Sequence, residues 1–263
     1  MKLPVAEVAA ETYHFLWRHR RMLVDRASLP MAIVLVVGIV EYLLGTPSGN
    51  GGLPAPMPTP EAGDLAEEPR GGIGVAQSVA YFLVTLPFLV GWYRLVVLGP
   101  TAIAGRSPLS CTRLEARFLL WMLLIGLVLA IPLLISGTIV TPFATGSISG
   151  DQVPLAPLLL STLMFLALIL ASLRLSFIFP AIAAEEPASF ARAWEMTKGN
   201  SLRILALALV AHIPALVLGA VVETFFIGLG LPYSLLLFVE LTISFTIMAL
   251  GATAFGVAYA RLR

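Results

Sequence analysis

Six long apolar runs dominate the chain, at roughly 27–45, 73–96, 118–141, 155–178, 203–228 and 232–258. About 20 apolar residues suffice for a helix to cross the hydrocarbon core of a bilayer, and the runs are of that order. They predict an all-α integral membrane protein with six transmembrane helices. Charge then orients them. Of the 16 Lys and Arg residues, only Arg70 falls in a segment facing away from the N-terminus. The others occupy the N-terminal segment, inner helix ends, the loops around Arg106 and Lys198, and the C-terminus. That asymmetry is the positive-inside pattern, and it predicts that both termini are cytoplasmic.

Composition narrows the function classes. Charged residues make up 12% of the chain, against about 25% in soluble proteins. Once six spans are counted, 263 residues leave no room for a separate catalytic domain. A net charge of +1 gives no reason to expect nucleic acid as a partner. The single cysteine, Cys111, has no mate for an internal disulfide. Abundant Arg, Ala, Gly and Pro beside scarce Lys point to a GC-rich bacterial genome.

The first 26 residues are too long and too charged for a secretory leader. Between Pro4 and Arg26, Glu7, Glu11, His14, Arg18, Arg21 and Asp25 recur at spacings of 4, 3, 4, 3 and 4. Val5, Val8, Phe15, Leu16, Met22 and Leu23 fill much of the opposite side. This period predicts an amphipathic helix over 1–26, preceding a transmembrane domain over 27–263. Trp17 with Arg18, Arg20 and Arg21 suits anionic headgroups. A proline- and glycine-rich stretch at 46–72, with Glu61, Asp64, Glu67 and Glu68, reads as a long external loop. A shorter one is expected at 143–154, and a tight turn at Gly228–Pro232.

An internal repeat refines the architecture. Arg94-Leu95 closes the second span with Pro100 six residues after the Arg, and Arg174-Leu175 closes the fourth with Pro180 likewise placed. Each leads to a polar stretch, then to an Arg (Arg117, Arg203) and a run holding an interior proline (Pro132, Pro214). Spans two–three and four–five therefore read as two parallel copies of one hairpin about a pseudo-twofold along the membrane normal. In the second polar stretch, 187–199 predicts a short helix capped by Ser189 and stopped by Gly199. Residues 107–116 read as its shorter counterpart.

The run from Arg174 through Phe190-Ala-Arg-Ala-Trp-Glu-Met-Thr-Lys-Gly-Asn-Ser-Leu-Arg203 resembles a segment of bacterial membrane domains of glycerophosphoryl diester phosphodiesterases and their YciC-like stand-alone relatives. Trp17-Arg18-His19-Arg20-Arg21 and Trp92-Tyr93-Arg94-Leu95 look like parts of the same pattern. The resemblance implies a six-helix inner-membrane protein. It does not imply diester hydrolysis, because the soluble barrel of that family is absent from this sequence.

Candidate chemistry must come from polar groups inside the apolar runs, where burial is costly. Counted from the helix ends at 1.5 Å per residue, Glu41, His212 and Glu240 fall at similar depth. They form either a proton- or cation-handling set or three separate interhelical contacts. Arg94 and Arg174 lie near inner helix ends, where long side chains reach headgroups. No phosphate-binding loop, nucleophile turn or metal motif occurs, so no catalytic residue, metal or cofactor is expected. The reading is a non-enzymatic accessory, scaffold or assembly component whose partners are the lipid bilayer and either another membrane complex or a second copy of itself. The alternative is a small transporter or lipid-handling protein.

Overall fold

The computed structural model describes residues 2–44, 75–144 and 155–263, and every regular element among them is helical. The expected external loop at 46–72 and most of that at 143–154 lie outside the described residues. In chain order the helices are α1 (Val5–Arg18), α2 (Arg20–Leu43), α3 (Val75–Leu98), α4 (Arg113–Ala144), α5 (Leu155–Leu175), α6 (Ile178–Ala183), α7 (Phe190–Met196), α8 (Ser201–Gly228) and α9 (Tyr233–Leu262). A 3-10 turn, Pro100–Ile103, follows α3. Among the described residues, six helices are long and apolar enough to cross a membrane.

The N-terminal periodic segment is divided at His19, whose φ of −102° and ψ of 18° interrupt the helix. One straight rod cannot serve both halves. The apolar face of α1, with Val8, Ala9 and Thr12 buried, packs on α8 and α9. That of α2, through Ala27, Pro30, Val34 and Gly38, packs on α3 and α9. Residues 20–26, grouped by period with the first helix, thus open the second.

The spans α3, α4, α5, α8 and α9 pack in a closed cycle, each on the next, and α9 returns to α3. Short α6, with Ile178, Pro180, Ala181, Ile182 and Ala183 all buried, packs on α3, α4 and α9 and fills one end of the cycle. We call that end, which also holds Leu3 and Arg263, basal, and the other distal. At 28 and 30 residues, α8 and α9 are about 42 and 45 Å long, well beyond a hydrocarbon core of about 30 Å.

α9 is the spine. From Ala249 to Tyr259 every residue is buried. Close approach is bought with glycine: a Cβ at Gly256 would lie 2.6 Å from Val96, and one at Gly251 would lie 2.7 Å from the His212 ring. The Trp92 indole N–H donates to the Ala249 carbonyl (3.0 Å) and to the Thr253 hydroxyl (2.9 Å), pinning α3 to α9. Phe88 stacks on Trp92 and meets Phe245 edge-on, continuing the α3–α9 seam distally.

Candidate functional site

The three polar residues of the apolar runs do not converge. Glu41 lies at the distal end of α2 and accepts hydrogen bonds from the backbone N–H groups of Ala76 (3.0 Å) and Gln77 (3.3 Å). These are orphan donors of the first turn of α3, so the carboxylate caps a helix and complements its positive end. The His212 Nδ1 bonds the Ala208 carbonyl one turn back (2.8 Å), and its ring is seated over Gly251. Gly251 is three turns of α9 beyond Glu240, about 16 Å along the axis. One water cannot bridge that gap.

Glu240 is exposed, on the side of α9 between its contacts with α3 and α8. It therefore faces the interior of the helix cycle, within electrostatic reach of Glu223 on α8. Tyr233 feels both Glu240 and Glu41. Among the described residues the distal half thus carries three acidic side chains, Glu41 on α2, Glu223 on α8 and Glu240 on α9, with His212 set apart from them.

Basal arginines are engaged with the chain itself. Arg94 donates to the Ala183 carbonyl (3.1 Å) and pairs with Glu185 (2.6 Å), which locks α3 to the end of α6. Glu185 holds φ at +62°, and the backbone bonds Glu186 N–H to Ala181 O and Glu185 N–H to Ile182 O close α6 there. Arg174 donates to the Thr197 hydroxyl (2.9 Å) and the Trp194 carbonyl (2.5 Å), with its guanidinium 3.5 Å over the Trp194 ring. The Ser189 hydroxyl accepts from Arg192 N–H and caps α7, as its sequence position predicts. Gly199, at φ +75°, turns the chain toward α8. Asn200 at the α8 N-cap accepts instead from the Leu3 N–H (2.8 Å), while Arg203 donates to the Leu3 carbonyl (3.0 Å).

Two carboxylates that read as loop charges in the sequence organise this end. Glu115 is fully buried, pairs with Arg106, and accepts from the Thr112 hydroxyl and N–H (2.8 Å to the latter). The stretch 107–112 is therefore a braced loop, and α4 begins only at Arg113. Glu186 accepts from Arg192 (2.6 Å), Tyr259 (2.8 Å) and Arg263 (2.8 Å), and its backbone carbonyl accepts from Arg117 (3.4 Å). Burial alone would raise its pKa. Hydrogen bonds from Tyr259 and Arg192, with the charges of Arg263 and Arg192, outweigh burial and hold the carboxyl below the usual range. Thr112-x-x-Glu115 at the start of α4 is a local capping-box pattern, with the Glu115 carboxylate accepting from the Thr112 N–H, whereas Glu186 draws Tyr259 and Arg263 from elements distant in sequence.

Arg18, Arg20 and Arg21 differ from these. All three are exposed, and among the described residues none makes an ion pair. Arg20 lies over the Trp17 ring at 4.6 Å and donates to the Trp17 carbonyl (3.1 Å). Above them, between α2 and α9, is a groove of about 340 Å³ lined by Val24, Ala27, Ser28, Met31, Phe238 and Thr242, among others. Among the described residues no group of three His, Cys, Asp or Glu side chains can hold a metal ion. Comparison with protein families, curated proteins and solved structures gives no match to this chain.

Proposed function

We propose that the chain is a non-enzymatic, multi-pass protein of a bacterial inner membrane that acts as an accessory, scaffold or assembly component. Its termini and Cys111 lie on the cytoplasmic side, and the two hairpins from α3 to α4 and from α5 to α8 are copies of one unit. The carrying observation is how the polar groups are used. Basal arginines and carboxylates hold backbone carbonyls and one another, which makes a rigid platform. Leu120, Leu123, Leu127 and Leu134 of α4 are meanwhile exposed and share one side of the helix, a tall apolar face suited to neighbouring helices.

A second reading, a small transporter or lipid-handling protein, is favoured by one feature. Exposed Glu240 faces into a helix cycle that α6 fills only at its basal end. Native purification with lipids retained separates the two. A stoichiometric protein partner, or a second copy of the chain, supports the scaffold. A monomer that carries only small molecules or lipid supports the alternative. Sidedness is tested by labelling native Cys111, exposed in the basal loop, with a membrane-impermeant maleimide. Labelling only in inverted vesicles is expected, and labelling of intact spheroplasts removes the orientation.

A further inference from the structure

The groove between α2 and α9 has the walls, position and charge of a lipid site. Its volume of about 340 Å³ sits at the low end of small-molecule sites, and its lining runs along α2 from Leu23 to Leu35, about 18 Å of helix. Three hydroxyls line it, but each is turned back onto its own helix. Ser28 bonds the Asp25 carbonyl (3.2 Å), Thr242 that of Phe238 (2.8 Å), and Thr246 that of Thr242 (2.7 Å). With no donor left over, the walls select hydrocarbon.

The basal mouth supplies the opposite chemistry. Val24, Ser28, Met31 and Leu35 face the groove, and at 100° per residue Arg20 and Arg21 lie one turn below them, bracketing the same face. α2 has 24 residues, about 36 Å, so when Leu43 lies at one membrane boundary, Arg20 and Arg21 reach the headgroups of the other. Arg20 is oriented by its stack on Trp17, and among the described residues Arg21 makes no ion pair. Asp25 sits at the edge of this face, one turn above Arg21. The local sum with Arg18 remains basic.

We propose that this groove binds one phospholipid with an anionic headgroup, an acyl chain lying against α2 and α9 and the phosphate held by Arg20 and Arg21. The site needs neither a scaffold nor a transport role, and so goes beyond both. Native mass spectrometry of the full chain, exchanged against equal phosphatidylglycerol and phosphatidylcholine, tests it. Wild type should retain one phosphatidylglycerol in preference. Arg20→Gln with Arg21→Gln should weaken that preference roughly thirty-fold, the ratio expected of two basic side chains at an anionic surface. Arg20→Lys with Arg21→Lys should keep most of it. Ala32→Trp, which fills the groove from an exposed position, should lose the bound lipid of either headgroup. Equal retention of both lipids by wild type, or full phosphatidylglycerol retention by the Gln pair or by Ala32→Trp, overturns the proposal.

Discussion

The basal end and the α4–α5 hairpin are built from the same kind of chain and held by different forces. At the basal end, α9 is buried on all sides from Ala249 to Tyr259, and Arg94, Arg117 and Glu186 bond groups distant in sequence. Among the side chains described for α4, only Glu115, Phe118 and Ile125 are buried, all in its first half. Above them α4 packs chiefly on α5. Hydrophobicity cannot be what separates the regions, since lipid is as apolar as leucine and gives no drive for helices to meet. The difference lies in glycine-permitted close packing and in polar bonds, both concentrated on α9 and its neighbours.

Breaking the basal network should therefore cost most. Glu115→Leu leaves Arg106 without its carboxylate in a half-buried setting and is expected to destabilise by about 3–5 kcal/mol, read as a fall in the thermal midpoint in detergent. Gly256→Ala forces a Cβ to 2.6 Å from Val96 and should cost about 1–3 kcal/mol in the same assay. An unchanged midpoint would show the α3–α9 seam to be compliant.

Glu186 sharpens the comparison through pH. Its folded pKa is depressed, so the stabilisation is complete above the unfolded carboxyl value of about 4.3. It is lost as pH falls through the lower folded value. Glu186→Gln should lower stability at neutral pH by about 1–2 kcal/mol and flatten the acid limb of the stability profile. An acid limb identical to wild type would remove Glu186 as the hub. Least affected should be Gly126→Ala in α4, where a new Cβ meets nothing within 4 Å. A change of less than about 1 kcal/mol, stabilising in sign, is expected. A loss as large as that at Gly256 would mean that α4 is packed by a neighbour from outside the chain.

The spans were legible because bilayer crossing imposes a run length that composition reveals directly. Ser189 and Gly199 were legible because caps and turns are local. The depth match among Glu41, His212 and Glu240 was not a true reading. It counted His212 from one end and Glu240 from the other, as though each helix just matched the bilayer. With α8 and α9 about 42 and 45 Å long, counts from opposite ends do not meet, and His212 falls basal to Glu240. Glu115 and Glu186 were both missed, but only Glu186 was hidden. Glu186 looks solvated until distant parts of the chain bring Tyr259 and Arg263 to it, whereas Glu115 is read from Thr112 three residues before it and Arg106 nine before it.

The Glu41 cap has one more consequence, for chain length rather than for packing. By holding the first turn of α3, with Gly38 pressed against Gln77, it joins the two ends of the connection that leaves at residue 44 and returns at 75. Closing even a wholly flexible connection costs only about 0.6 kcal/mol more for each doubling of its length. The 44-to-75 connection can therefore take up an inserted domain, a reporter or an affinity tag at little cost to the bundle, so long as Glu41 keeps its two backbone partners.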